Sequence, residues 1–365
     1  MIKSTFFDAL LIADSERIHT QTLYWVLSLQ ENIFSSAEKA RFLNNLFDLR
    51  EKIKVTNNMV VATEINKIDL LIRTDNYVII LENKLKSSEH SYQTQKYLDA
   101  IPEEYSEGAE KICGFVSLIN ETPLHKAWYS ISFEKLLQSL KNINWNSSEA
   151  KELIFVNEYI LTLENLVFAF NTFIKDHKAF ANVFIDGYKS KFRKVKHENS
   201  VNDYIRINQL ETIFQKAYLM KVVLDLNEQY CYVGETRGTA LIQINVHHFE
   251  YRKKKFNLGF QFQNSTLKIN LSKEGVATSK ASQLDYDLIS NFESKFFRAN
   301  GYNRFNKPKT KAYMSVSKQL GREIYLYDTD ELSNLIKDEL NYLKSEATEF
   351  CKILNYESAE NALTA

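Results

Sequence analysis

The chain has 365 residues, of which 44% are hydrophobic and 25% charged, with 46 basic residues balanced by 46 acidic ones. That is material for two domains of ordinary size with substantial cores, and nine Gly and three Pro exclude a collagen-like or linker-rich chain. Zero net charge excludes an overall attractive field for nucleic acid or an acidic membrane surface, so any such binding must come from local patches. Cys113, Cys231 and Cys351 are odd in number and far apart, which excludes a disulfide framework and a CxxC zinc knuckle. No unbroken apolar run approaches the roughly 18–20 residues that span a bilayer, and acids interrupt the N-terminus. The expectation is a soluble protein of a reducing, cytoplasmic compartment, with no membrane partner.

Taken in chain order, Asp14 or Ser15 is placed to cap a helix carrying Ile18, Thr22, Trp25 and Leu29 on one stripe. A second helix is predicted over 37–53. Short β-branched runs at 60–62, 68–73 and 77–81, separated by polar turns, predict strands. Ser87 or Ser88 would cap a third helix that Pro102 ends, a fourth strand follows at 112–118, and 149–175 reads as a long apolar helix. In the second half, 208–224 reads as a helix. Segments 240–249, 255–262 and 266–271 alternate at period two and predict an antiparallel meander. Helices at 284–298 and 331–354 and a strand at 323–327 complete the pattern. The basic stretch Lys189 to Lys196 marks the boundary, dividing the chain into domains 1–185 and 186–365. The last ten or so residues are expected to fray.

The chemistry concentrates in EINKIDLLIRTDNYVIILENKLKSSEHSYQTQKYLDAI, residues 64–101. If Asp75 and Asn76 form a two-residue hairpin loop in the left-handed conformation both tolerate, residue 74 opposes 77 and Asp69 opposes Glu82. Opposed side chains share a face of the ribbon with Cβ atoms about 4.5–5.5 Å apart, and Lys84 points to that face one rung on. Two opposed carboxylates repel, and relief comes from a proton, from a basic neighbour such as Lys84 or Lys67, or from a bound cation. Two acids and a backbone carbonyl suit Mg²⁺, which keeps waters for a phosphate substrate. The competing interpretation is a surface ion-pair ladder. The uninterrupted VIIL ahead of Glu82 argues instead for a strand buried on both faces with charges at its end.

Asp69 followed by Glu82-Asn83-Lys84 resembles the PD-(D/E)xK nuclease superfamily, with its restriction-endonuclease-like fold. Gln93 and Tyr97, four apart on the next helix, match its Q-x-x-x-Y, and Ser15-Glu16-Arg17-Ile18-His19 resembles the E-x-x-H helix of one branch. The resemblance covers about the first third of the chain; Ile68 stands where many members have Pro. It implies an α/β class with a restriction-endonuclease-like mixed sheet flanked by helices; the residue pattern of the second half adds an α+β C-terminal domain with the antiparallel meander, which matches no family and whose role (substrate binding, sensing or dimerisation) stays open. It further implies Asp69 and Glu82 as metal ligands joined by Asn83 and Glu16, Lys84 as the catalytic lysine, and Gln93 and Tyr97 as phosphate-positioning or bracing residues. Mg²⁺, with Mn²⁺ as substitute, is the implied cofactor. Nucleic acid, DNA before RNA, is the implied partner, with a possible homodimer cutting both strands. The implied activity is endonucleolytic hydrolysis of DNA, in restriction or anti-phage defence. An RNA-acting nuclease and an inactive binding module on the same fold are the alternatives.

Glu64 reads as a solvated acid, or else a loop residue near the site; His19 reads as a buried structural histidine, with a ligand or phosphate contact as the alternatives; and His247-His248 point to opposite strand faces. His90, His125, His177 and His197 make no ligand spacing with cysteine. Basic clusters at Lys84/Lys86, Lys189–Lys196, Arg252–Lys255 and Lys307–Lys311 are candidate backbone contacts, Arg252–Lys255 at a hairpin tip.

Overall fold

The computed structural model describes residues 1–365 except 57, 58, 88, 90–92, 147–149, 181, 182, 185–199, 237, 275–285, 307–312, 322, 323, 325, 364 and 365. The chain divides into two compact units. One holds Met1–Lys175 with Lys191–Ile213, the other Asp176–Ser190 with Phe214–Ala365.

The first unit opens with α1 (Phe6–Ala9), α2 (Glu16–Leu27) and α3 (Ser36–Leu46). Ser15 holds the N-cap position of α2 without a side-chain bond, and the helix buries His19, Thr20, Leu23, Val26 and Leu27. The predicted stripe of Ile18, Thr22, Trp25 and Leu29 is therefore rotated by about one residue. The polar His19 and Thr20 belong to the core, which a hydrophobic pattern cannot anticipate. Helix α3 ends at Leu46, not at 53, because Asp48 and Glu51 take positive φ (54° each) and turn the chain away.

Strands β1 (Val60–Ile65), β2 (Ile68–Arg73) and β3 (Tyr77–Lys84) form an antiparallel ribbon. Next come α4 (Gln93–Asp99), α5 (Glu103–Ser106), β4 (Glu110–Ser117), β5 (Trp128–Ser132), α6 (Phe133–Lys141) and α7 (Glu152–Lys175). Strands β3, β4 and β5 are parallel, so the five-stranded sheet is mixed, in the order β1-β2-β3-β4-β5. Helix α2 lies against β1, β2 and β3, and α6 against β4 and β5. On the α4 side, Leu71, Val78, Ile80, Tyr97, Phe115 and Trp128 share one core cluster. All eight residues of β3 are buried, as a central strand with both faces covered requires. Strand β5 and helix α6 had no predicted counterpart. Ser87 donates its hydroxyl to Glu16 and Ser88 is outside the described residues, so the predicted cap of the third helix is not seen.

Helix α7 is the long apolar helix expected over 149–175. Among the described residues it alone is long and apolar enough to cross a membrane, and 56% of its most apolar window is buried inside the fold. A last helix of this unit, α8 (Ser200–Ile207), had no predicted counterpart; Gln209, which takes φ 50°, separates it from α9 (Glu211–Leu226), the helix predicted over 208–224.

The second unit is built on a six-stranded antiparallel sheet in the order β10-β11-β9-β8-β7-β6. Its strands are β6 (Cys231–Thr236), β7 (Thr239–Tyr251), β8 (Lys254–Gln263), β9 (Thr266–Lys273), β10 (Arg304–Asn306) and β11 (Tyr313–Gln319). The β7-β8-β9 meander is where the alternation placed it. Arg252 and Lys253 form its first turn with φ 47° and 59°, the left-handed pair that a two-residue hairpin needs. A bulge between Asn245 and His247 interrupts the ladder, and His248 pairs with Glu274 at 2.5 Å. Helices α10 (Tyr286–Phe296) and α11 (Thr329–Leu363) complete the unit. The strand predicted at 323–327 is corrected: of its described residues, Tyr327 donates its N–H to the Ile324 carbonyl in a helical turn. The strand of this region is β11 instead. The Lys189–Lys196 and Lys307–Lys311 clusters lie outside the described residues.

Candidate active site

The site is assembled first by the β2–β3 register. Leu70 opposes Leu81, Leu71 opposes Ile80 and Arg73 opposes Val78, which is the ladder of a two-residue loop. The loop chemistry differs from expectation, because neither Asp75 nor Asn76 takes positive φ. Their side chains hold the turn from outside. The Asp75 carboxylate accepts the Thr56 N–H (2.8 Å), while Asn76 accepts the Lys54 N–H (3.3 Å) and donates to the Lys52 carbonyl (2.9 Å).

This ladder carries Asp69 and Glu82 to one face of the ribbon at the end remote from the turn, and Lys84 follows one rung on. Glu82 is 1% exposed and Lys84 7% exposed. The Lys84 ammonium lies 2.6 Å from Glu82 Oε1, so Lys84, and not Lys67, is the basic neighbour of the pair. Lys67 sits exposed in the β1–β2 turn at φ 73°. Asp69 Oδ2 accepts the backbone N–H of Asn83 at 2.9 Å. Helix α4 covers this face. Gln93 donates to Glu82 Oε1 at 2.7 Å and also to the Tyr97 hydroxyl, so the four-residue spacing brings both side chains to one place.

The electrostatics are those of crowded buried acids. Burial, joined by repulsion from Asp69, pushes the Glu82 carboxyl up to about 8 against the pull of Lys84. Burial also raises Asp69, opposed by the Asn83 N–H and the Lys84 charge. For Lys84, burial opposes the charged form, but Glu82, Glu16 and Asp69 together raise its pKa. Glu82 Oε2, Gln93 Oε1 and both side-chain amide atoms of Asn83 are buried without a hydrogen-bond partner.

Glu16 enters differently. Its Oε1 accepts the N–H groups of Leu85, Lys86 and Ser87, each at 2.8 Å, and the Ser87 hydroxyl spans both its oxygens. One carboxylate of α2 thus gathers the backbone that leaves β3, immediately beyond Lys84. Lys86 in turn pairs with Asp14. His19 is fully enclosed: Nε2 bonds the Ala13 carbonyl (2.8 Å) and Nδ1 faces the Tyr159 hydroxyl (3.3 Å). Glu64 pairs with Arg17 at 3.2 Å in solvent.

Sequence reading missed Glu89. Its Oε1 accepts the N–H and hydroxyl of Thr94 in the first turn of α4, and its Oε2 accepts the Leu124 N–H at 2.6 Å. It lies five residues before Thr94, outside the capping-box spacing that would have marked it. The Thr94 carbonyl then receives the Trp128 indole N–H at 3.1 Å, which seats α4 on β5.

The model of the PD-(D/E)XK nuclease superfamily matches residues 5–175. Over residues 5–175 the chain is similar to the PD-(D/E)XK nuclease superfamily. No curated protein and no solved structure matches the chain at a significant level. The matched segment contains the ribbon, α2 and α4, and Asp69, Glu82 and Lys84 lie within it.

Members of this superfamily generally use a divalent metal. Among the described residues, no three His, Cys, Asp or Glu side chains gather into a cage for one. Mg²⁺ does not require a cage, since one or two carboxylates with waters and substrate phosphates suffice. The unpartnered Glu82 Oε2, beside Asp69 and with both carboxyls raised chiefly by burial, belongs to a donor set that a divalent cation would complete. The residues fit the ion.

Proposed function

We propose that this nuclease hydrolyses DNA phosphodiester bonds with Mg²⁺ held by Asp69 and Glu82, and that Mn²⁺ substitutes for it. The observation that carries the reading is the buried meeting of Asp69, Glu82 and Lys84 on one face of the ribbon, with Gln93 braced against Glu82.

When bound, the cation supplies positive charge to the scissile phosphate and lowers the pKa of a water. The chain's own residues do the remainder. Asp69 is aimed by the Asn83 N–H, and Glu82 is fixed between Lys84 and Gln93, so neither carboxylate must reorganise when the phosphate arrives. The Lys84 ammonium donates to the phosphate oxygens as negative charge builds on them. A water oxygen then bonds to phosphorus, the bond to the leaving oxygen breaks, and the proton released by the water passes to solvent or to that oxygen. Tyr97 keeps Gln93 in place. Glu16 serves from its cradle of three N–H groups, anchoring the end of β3 and so the position of Lys84. As a metal ligand it would have to surrender those bonds. Asn83 contributes its backbone.

A role in restriction or antiviral defence, a cytoplasmic setting, and a dimer that cuts both strands rest on the superfamily resemblance. The test is incubation of the purified chain with plasmid, linear duplex and single-stranded DNA and with RNA, each with Mg²⁺, Mn²⁺ or EDTA. Cleavage of DNA that EDTA abolishes is expected. Cleavage of RNA alone, or none under any metal, overturns the reading.

A further inference from the structure

The six-stranded sheet of the second unit has two unlike faces. One is apolar, with Ile242, Ile244, Phe260, Ile269 and Val316 all buried. On the other, the registers set Tyr232, Gln243, Gln261, Lys268 and Ser317 abreast in one row, and Asn245, Gly259, Asn270 and Ser315 in the next. Contacts between these side chains confirm the shared face. Lys268 donates to the amide oxygens of Gln261 (2.9 Å) and Gln263 (3.0 Å), and Asn257 donates to Asn245 (2.6 Å).

An ordinary solvated sheet face is dressed with charged side chains. This one is dressed with neutral amides, and its centre is shaped to hold them. A Cβ at Gly259 would lie 2.8 Å from Gln243 Nε2 and 3.0 Å from Asn270 Oδ1, so only glycine lets both amides lie across β8. Two amide atoms there lack a partner: Asn270 Nδ2, on a residue 2% exposed, and Asn257 Oδ1, on one 9% exposed. Buried unpaired amide groups are destabilising, and a ligand that brings complementary donors and acceptors relieves them.

We propose that this face binds single-stranded nucleic acid through the edges of its bases. An amide offers a donor and an acceptor side by side, the pattern that matches a base edge, above all adenine. Size favours a single strand over an undistorted duplex as the occupant. Six strands at about 4.8 Å spacing are about 24 Å across, twice the roughly 12 Å width of a major groove. A single strand can splay its bases onto the sheet instead. Lys255, Lys268 and Arg304 stand on this face against Glu250 and the His248-paired Glu274, an excess of one positive charge that can meet a phosphate backbone. Tyr232, 54% exposed on the edge strand β6, presents a ring on which a base can stack. The inference rests on the nuclease reading for the choice of polymer, and it is tested without cleavage.

The experiment is fluorescence anisotropy of the full chain in EDTA, with labelled oligonucleotides of one length: an adenine-rich single strand, its duplex, and an abasic strand. The base-bearing strand should bind about tenfold or more tighter than the abasic one. Gln243→Ala with Gln261→Ala, and separately the isosteric Gln261→Glu, should each remove that preference while the thermal midpoint stays in place. Lys84→Ala should keep the preference even with cleavage lost, which separates failure of this face from failure of the catalytic site. Equal binding of abasic and base-bearing strands, tighter binding of duplex, or an unchanged preference in folded variants would overturn the proposal. So would dimerisation in solution that the double variant abolishes, which would assign the face to a second copy of the chain.

Discussion

Glu82 and Lys84 leave the same face of β3 two residues apart, and their side chains meet 2.6 Å apart as an ion pair almost wholly withdrawn from water. Such a pair contributes little net stability, because desolvation of both charges offsets most of their attraction. Lys84→Ala should therefore be informative about chemistry: Glu82, already raised to about 8, takes up a proton in place of the lost partner. Cleavage should fall by about 100-fold or more, with a far-ultraviolet spectrum like the parent's and a small loss in thermal midpoint. A folded variant with full activity would remove Lys84 from the mechanism.

Gln93 acts on Glu82 rather than on substrate, and on Tyr97 through the same amide. Gln93→Ala should weaken metal-dependent activity by about 10–100-fold, as loss of an outer brace does. The drop should appear as a rightward shift in the Mg²⁺ titration, partly recovered at high metal. A change confined to KM for DNA would point to phosphate contact instead.

Gly114 lies on β4 between β3 and β5, and a Cβ there would meet Leu81 and Ile131 at 2.7 Å and Phe47 at 2.9 Å. Three side chains from separate elements cannot all give way. Gly114→Ala should cost about 1–3 kcal/mol, the penalty of overpacking. Chemical denaturation reads this directly, and a midpoint equal to the parent's would show the sheet to be more compliant than its packing implies.

His19 is 1% exposed, and burial holds its imidazole below the ordinary value despite the Ala13 carbonyl. The unfolded chain, with a histidine near about 6.5, then binds the proton more readily than the folded one. The neutral histidine's contribution is present above that pH and lost as pH falls through it, by up to about 1.4 kcal/mol per pH unit. Denaturation midpoints of the parent and of His19→Gln, compared at pH values of about 8 and about 5.5, should differ in that sense. Parallel pH profiles would rule the linkage out.

The ribbon was legible because its information is local. A two-residue turn fixes every opposed pair, and period-two side chains fix the face, so Asp69, Glu82 and Lys84 followed from spacing alone. Even there the turn conformation was misjudged, since Asp75 and Asn76 are held by residues 52–56, some twenty positions earlier. The buried face of α2 was misplaced for a related reason. His19 and Thr20 are core residues because Ala13 and Tyr159 satisfy the His19 ring, and no window of the sequence shows that.

The order of residues by itself determined the strand pairing, the acid–acid–lysine set and the two unlike halves of the chain. Those depend on neighbours a few positions apart. Only the tertiary structure decided that Glu16 would be enclosed by the Leu85, Lys86 and Ser87 amides, that Glu89 would seat α4, and that amides would tile one face of the second sheet. Each is a meeting of segments brought together by core packing, and hydrogen-bond partners chosen across such distances leave no periodic trace in the chain.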